Sequence, residues 1–396
     1  MSQQLINHSP DLQSLRNDGF DIEVKDGYLL VKNVPYVNES SEVKAGTVVS
    51  ELTLAGNVTT TPSDHKVYFE GEHPCHKDGS RIETIVHSSS QQQLAAGITV
   101  HHCFSNKPAG GYKDYHHKIS NYVNIISGPA EAVDPSKTAR AFAIIESTEA
   151  ESVFNYIDTA SSRAEIVAIS KKLELPKVAI IGLGGTGAYV LDLVAKTPVK
   201  QIDLFDKDKL LQHNAFRSPG APSIEELRAQ PYKVDYFKAV YSKLHRGIVA
   251  NPYNIDSGNV EQLTGMAFVF VCIDKNEVKK PIVDFLERND IPFVDVGMGI
   301  NEVDGALQGN LRITTSTNQQ REHVKNRIDF SPGEVNNEYA RNVQIADLNA
   351  LNAALAVVKW KKIFGFYQDT VAEHHSIYAI NCNSLVNADD INADPS

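Results

Sequence analysis

The sequence predicts an α/β fold: a doubly wound sheet preceded by a smaller α+β domain. Three observations lead there. From residue 177 onward, short apolar runs alternate with amphipathic helical patterns, the rhythm of parallel strands joined by crossover helices. The first such run ends in a glycine turn, Gly182-Leu183-Gly184-Gly185-Thr186-Gly187. Ahead of it, short β-prone runs are separated by polar turns, and nine of the 14 histidines lie between His8 and His117.

In chain order, residues 27–34 and 66–69 read as strands set off by turn-rich stretches such as Asn38-Glu39-Ser40-Ser41 and Lys107-Pro108-Ala109-Gly110-Gly111-Tyr112. The stretch from Gly128-Pro129-Ala130 to Pro135-Ser136 reads as loop. It places a boundary within 128–158, with an α+β domain over 1–150 and a second domain over 155–396. In that second domain 177–181, 201–205, 268–273 and 292–296 are predicted strands, with helices over 188–195 and 278–289. Residues 311–317 add an antiparallel strand and make the sheet mixed. Residues 345–360 form a long Ala- and Leu-rich helix with few charges, suited to a core or to a dimer interface.

Composition narrows the function classes. The 396 residues suffice for two or three domains. With 38 Lys and Arg against 49 Asp and Glu, the net charge of −11 argues against a general nucleic-acid-binding surface. Hydrophobic residues at 42% and charged residues at 22% are ordinary for a folded chain. No apolar run reaches the roughly 18 residues that span a bilayer, and the start Met1-Ser2-Gln3-Gln4 lacks a signal-peptide pattern, so the expectation is a cytoplasmic protein without membrane contact. The four cysteines, Cys75, Cys103, Cys272 and Cys382, include no CxxC pair and no regular spacing, so neither a disulfide framework nor a paired-CxxC zinc site is supported.

The glycine turn fits G-x-G-x-x-G between a strand and a helix. Small residues there let the backbone approach phosphates, and the helix start offers unbonded N–H groups and a positive dipole end. Asp206, 19 residues after Gly187, stands where an acidic side chain accepts from ribose hydroxyls. That pair of features suits NAD and ATP equally. Adenylation needs further groups to stabilise charge at the α-phosphate and on leaving pyrophosphate. Such groups follow in order: Asp208, then Asn214 and Arg217 in His213-Asn214-Ala215-Phe216-Arg217, then Lys233 before an amphipathic helix, then Asp274 at the end of an apolar strand.

This set resembles the ThiF/MoeB family, the adenylating domain shared with ubiquitin-activating enzymes, over about residues 160–390. The resemblance implies a Rossmann-like ATP-binding domain that uses ATP and Mg²⁺ to adenylate the C-terminal carboxylate of a ubiquitin-like protein. It implies nucleotide contacts at Gly182, Gly184, Gly185, Gly187, Asp206 and Asp208, with ribose on Asp206. Phosphates fall to Asn214, Arg217 and Lys233, and Mg²⁺ to Asp274. The family often adds an arginine from a helix before the first strand, at times across a dimer, and Arg163 is the match here. A homodimer and a conjugating enzyme as downstream partner are further implications, and the first part resembles the N-terminal domain fused to such enzymes in bacterial ubiquitin-like operons.

Two departures stand out. The paired zinc knuckles of many relatives are absent, and residues 297–341, where related enzymes place a thioester cysteine, contain no cysteine. Cys75, flanked by His73 and His76 in a Gly- and Pro-containing turn, is the substitute acyl acceptor the sequence offers, against the plainer reading of a loop cysteine. Thr314-Thr315-Ser316-Thr317 is a hydroxyl alternative, against ordinary strand chemistry. Cys75 and His76 with His101-His102-Cys103 and His116-His117 contain zinc-type ligands at a spacing that matches no zinc pattern. Two other functions stay in contention: an NAD-dependent oxidoreductase, and a nucleotide-binding scaffold without chemistry.

Overall fold

The computed structural model describes residues 2–147, 152–331 and 343–391. The chain divides into two compact units, Met1–Ile145 and Glu146–Ser396.

In the first unit, six strands lie side by side in the order Asp21–Lys25, Tyr28–Val37, Val43–Glu51, Lys66–Glu70, Ile98–Ser105 and Val86–Ala95, every pair antiparallel. The helices Pro10–Asn17 and Tyr115–Val133 close one face. Leu12, Leu15, Tyr115, Ile119 and Tyr122 pack there with Val31, Val48, Val67 and Phe69. Asp114 starts the longer helix by accepting the His117 N–H at 2.7 Å. That helix continues through Gly128 and Pro129 to Val133, where the sequence predicts loop. An interior proline costs about 3 kcal/mol, whereas burying the stripe of Tyr115, Ile119, Tyr122 and Ile126 returns roughly 1.5–3 kcal/mol for each large side chain.

The second unit is built on an eight-stranded mixed sheet. Its order is Ile248–Asn251, Ile202–Phe205, Val178–Ile181, Phe268–Val271, Phe293–Val303, Ala306–Ser316, His375–Ala379 and Ser384–Ala388. The first five strands are mutually parallel and the last three are added antiparallel. The strands Val178–Ile181, Ile202–Phe205 and Phe268–Val271 are buried at every residue, because helices cover both faces. On one face, Val190, Leu191 and Val194 of the helix Gly185–Val194 meet Ala353, Ala356 and Trp360 of the helix Ala346–Ile363. On the other, Ile282, Val283 and Leu286 of the helix Asn276–Arg288 pack over Val269 and Val271. No helix among the described residues is long and apolar enough to cross a membrane.

Three of the element boundaries that differ from expectation lie at the carboxyl end of the sheet. The first helix begins at Gly185 rather than 188, so the glycine turn supplies its opening turn. The strand Phe268–Val271 stops two residues early, which leaves Cys272, Ile273 and Asp274 to cross the top of the sheet. The strand Phe293–Val303 runs far past residue 296 and pairs with Ala306–Ser316 over its whole length, without a register shift. Asp304 and Gly305 turn this hairpin with φ of +52° and +77°, the positive values that tight two-residue turns require.

Candidate functional site

From the strand Val178–Ile181 the chain moves to one side and returns on the other at Phe268–Val271, so the two central strands flank the point where connection direction reverses. A cleft of about 1120 Å³ opens at that point. The glycine turn forms its floor. Gly182 has φ +87°, and a Cβ there would stand 2.7 Å from the Cys272 carbonyl oxygen, so the turn and the crossing segment touch backbone to backbone. A Cβ on Gly187 would meet the Gly182 oxygen at 1.9 Å, and one on Gly185 would meet the Asn349 carboxamide. Gly184 differs, since nothing stands within 4 Å of its would-be Cβ, which leaves the helix start open to the cleft. The first-turn amides have no acceptor within their own helix, and Gly184, Gly185 and Thr186 at that start line the cleft.

Asp206 closes the strand Ile202–Phe205 and is 6% exposed. Its Oδ2 accepts the Leu183 N–H at 2.7 Å and its Oδ1 accepts the Asp208 N–H at 2.8 Å. Burial pushes its carboxyl up from the ordinary carboxylate value, and the Lys233 ammonium pulls it back down. Lys233 Nζ lies 3.0 Å from Asp208 Oδ2 and 3.7 Å from Asp206 Oδ2, and Lys233 N bonds the Asp208 carbonyl. Lys233 is the first residue of the helix Lys233–Tyr241, so the helix start and the loop after Asp206 are tied together at one point. Arg217 lines the cleft, and its Nε is buried with no hydrogen-bond partner, a donor awaiting an acceptor. Asp274 lines the opposite wall, solvent-exposed, just ahead of the helix Asn276–Arg288.

One cleft thus brings together Gly182, Gly184, Gly185, Asp206, Asp208, Arg217, Lys233 and Asp274. Four other candidates stand elsewhere. Gly187 acts behind the turn through close packing. Asn214 is 2% exposed and does not line the cleft: its Oδ1 accepts the Leu211 N–H at 2.8 Å, so its carboxamide oxygen caps a short 3₁₀ turn. Arg163 ends the short helix Thr159–Arg163, exposed and outside the lining of its own chain's cleft. Cys75 belongs to the first unit and is fully buried. Its thiol donates to the His73 carbonyl and burial pushes it up, which corrects the expectation of an available acyl acceptor.

The hydroxyl alternative meets the same obstacle. Thr314, Thr315 and Ser316 are at most 1% exposed, and Thr314 and Thr317 pair with His375 and His374. Among the described residues, no group of three or more His, Cys, Asp or Glu side chains is placed to hold a metal ion. Cys272, expected within a strand, stands at the cleft wall instead, with its thiol ionisation pushed up by burial.

Sequence reasoning missed a second polar group in the same cleft. Asp295 is wholly buried, with Lys279 Nζ at 2.8 Å and Arg312 Nη2 at 2.5 Å, and both cations line the cleft. Two signals were there to be read. Asp295 interrupts the apolar run Phe293-Val294-Asp295-Val296, and Lys279 shares the buried helical stripe with Ile282, Val283 and Leu286. Asn349 and Asn352, one turn apart on the helix Ala346–Ile363, likewise sit on a buried face. Asn349 accepts from the Thr186 hydroxyl at 2.9 Å and donates to the Arg217 carbonyl, while Asn352 donates to the Gly297 carbonyl at 3.1 Å.

Comparison with known proteins places two family domains on the chain. Residues 166–323 match the ThiF family, and residues 10–159 match a domain of unknown function, DUF6791. The chain is 23% identical over 165 residues to ubiquitin-like modifier-activating enzyme 5 of Aedes aegypti, and 25% over 163 residues to that of Bombyx mori. Each match takes in 38% of this chain and 40% of the relative's length. Among solved structures, E. coli MccB with ATP is similar at 17% identity and a TM-score of 0.44, over 58% of this chain and 68% of that one. E. coli tRNA N6-threonylcarbamoyladenosine dehydratase, TcdA, is similar at 16% identity and 0.39, over 52% and 92%.

Proposed function

We propose that the ThiF family domain of this chain is an adenylyltransferase that uses ATP and Mg²⁺ to activate the C-terminal carboxylate of a ubiquitin-like protein, in a bacterial ubiquitin-like conjugation pathway. The observation that carries this reading is the convergence, in one cleft at the reversal point of the sheet, of an open glycine turn, an unpartnered Arg217 Nε, the buried Lys233–Asp206 pair and the exposed Asp274. A nicotinamide enzyme would need only the turn and Asp206. The ubiquitin-like substrate is further supported by the similarity to ubiquitin-like modifier-activating enzymes.

In this reading the amides at the start of the helix Gly185–Val194 hold phosphate oxygens, and Asp206, its two backbone bonds made, accepts ribose hydroxyls with its remaining lone pairs. Arg217 offers Nε to a phosphate oxygen, and Lys233 adds positive charge beside the triphosphate without leaving Asp208. Asp274 is a single carboxylate on an exposed wall, which suits Mg²⁺, a cation that keeps several waters and shares its shell with phosphate. Bound there, Mg²⁺ would supply neutralisation of phosphate charge.

A substrate carboxylate oxygen attacks the α-phosphorus, the bond from that phosphorus to the bridging oxygen breaks, and pyrophosphate leaves with the electron pair. No base is required, because the carboxylate is ionised near neutral pH. Catalysis is positioning and charge stabilisation by Arg217, by Lys233 and by the Mg²⁺ that Asp274 would hold. With Cys75 and Thr314–Thr317 buried, the acyl group passes to a nucleophile on a partner, such as a conjugating enzyme: the nucleophile attacks the acyl carbon, the bond to the adenylate oxygen breaks, and AMP leaves with the electron pair.

The test is ATP–pyrophosphate exchange with Mg²⁺ and a panel of ubiquitin-like proteins, with Asp274→Ala as control. Exchange that requires both a protein substrate and Asp274 supports the proposal. Tight NAD binding without ATP binding would transfer the site to an oxidoreductase, and ATP binding without exchange would make the domain a scaffold.

A further inference from the structure

Two groups at the far end of the cleft have polar capacity left over, and both are anchored on Gly297. Arg312 is Gly297's partner across the hairpin, and its guanidinium lies over that glycine, with Nη2 only 2.8 Å from where a Cβ would stand. The guanidinium is held by Asp295 and by the Thr314 hydroxyl at 2.6 Å. Those bonds use two of its five N–H groups. Asp295 is also matched by Lys279, so this cluster of two cations and one carboxylate carries an excess positive charge at the cleft wall.

Asn352 is 1% exposed and lines the same cleft. Its Nδ2 is committed to the Gly297 carbonyl, which sets the orientation of the amide. Its Oδ1 is buried with no partner. A buried acceptor without a protein donor is rare in folded proteins and takes its donor from a water or from a ligand that displaces it. The atom left over is an acceptor, so an anionic oxygen does not satisfy it, whereas an N–H does.

We propose that Gly297, Arg312 and Asn352 form the acyl subsite: Arg312 takes the carboxylate to be activated, and Asn352 Oδ1 accepts the peptide N–H of the residue that bears that carboxylate. The subsite therefore selects an N-acylated amino acid end, that is, a peptide terminus, over a simple carboxylic acid. This rests on the adenylation reading and names the substrate chemistry of the same cleft.

The smallest probe with both groups is N-acetylglycine, and its ester counterpart acetoxyacetate replaces the N–H by oxygen at nearly the same shape. Both are compared as drivers of ATP–pyrophosphate exchange by the full-length protein. The wild type is expected to show a KM about tenfold lower for N-acetylglycine, the worth of one hydrogen bond. Asn352→Leu, which keeps the volume and lacks the acceptor, is expected to erase that preference and leave the KM for ATP in place. Arg312→Met is expected to raise KM for both acids at least tenfold, also at constant KM for ATP. It tests the subsite independently, should Asn352→Leu fail to fold.

Equal use of the two acids by the wild type overturns the proposal, as does an amide preference that survives in Asn352→Leu. Exchange driven by a ubiquitin-like protein but by neither acid overturns it as well. Absence of exchange with every carboxylate is a separate outcome and refutes adenylation itself.

Discussion

Asn349 occupies the space that a side chain on Gly185 would need: a Cβ at Gly185 would lie 2.0 Å from Asn349 Nδ2. Glycine at this position thus allows a helix from the far end of the sequence to brace the phosphate turn through the Thr186 hydroxyl and the Arg217 carbonyl. Gly185→Ala is expected to displace Asn349, cost about 1–3 kcal/mol of stability as overpacking, and weaken ATP binding. Thermal melting and nucleotide titration check both, and unchanged ATP affinity would detach Asn349 from the site.

Asp274 is exposed and makes little of the core. Asp274→Ala is expected to melt with the wild type while turnover falls about 10²- to 10³-fold, the scale for loss of charge stabilisation at the reacting phosphate, here through the Mg²⁺ that Asp274 would hold. Exchange kinetics across a Mg²⁺ titration measure it, and near-normal turnover would remove Asp274 from the proposed chemistry.

Lys233 is expected to contribute to stability as well as to the site, because Asp206 beside it is buried. Lys233→Met leaves that carboxylate without its cation, a loss of about 3–5 kcal/mol for a broken buried pair. Burial raises the Asp206 carboxyl in the folded protein, so the folded state holds its proton to higher pH than the unfolded state does. The variant's deficit is therefore smallest near pH 4 and grows as pH rises and Asp206 ionises. Denaturant melts at several pH values give the slope, and a deficit that shrinks toward neutral pH would contradict the pairing.

Three histidines beside the antiparallel strands lose basicity on folding. Burial, followed by the nearby Arg327 and Arg312, lowers His375 to about 4, and burial lowers His323 and His374 as well. In the unfolded chain each titrates near 6.5. As pH falls from about 6.5 toward 4, the unfolded state gains protons that the folded state refuses, and stability drops through that window. His375→Gln is expected to flatten the pH dependence of the melting temperature over that range, and an unaltered slope would rule out its share.

The central strands and the glycine turn were legible because both signals are local: four-residue apolar runs, and small residues wherever two backbones touch. That Asp206, Lys233 and Asp274 share one cleft was legible through their spacing along a known pattern. The capping role of the Asn214 oxygen was not legible, because its residue type suits capping as well as phosphate binding, and only the fold decides which N–H it meets. The Asp295 cluster depends on contacts between segments 16 and 17 residues apart, which no periodicity reports. The length of the hairpin also escaped, since its outer half is paired by Asp304 and Gly305 at the tip and not by a buried apolar pattern.

Asn349 touches the phosphate turn and Asn352 touches Gly297, and a single helical turn separates them. The span between the two ends of the cleft is therefore gauged by a rigid rod, at about 1.5 Å of rise per residue, rather than by a loop. One residue inserted between 349 and 352 would swing one carboxamide by about 100° around that rod and uncouple the two ends at a stroke. A change of length at this short stretch is therefore costlier to the cleft than a point substitution at the exposed Val358 of the same helix.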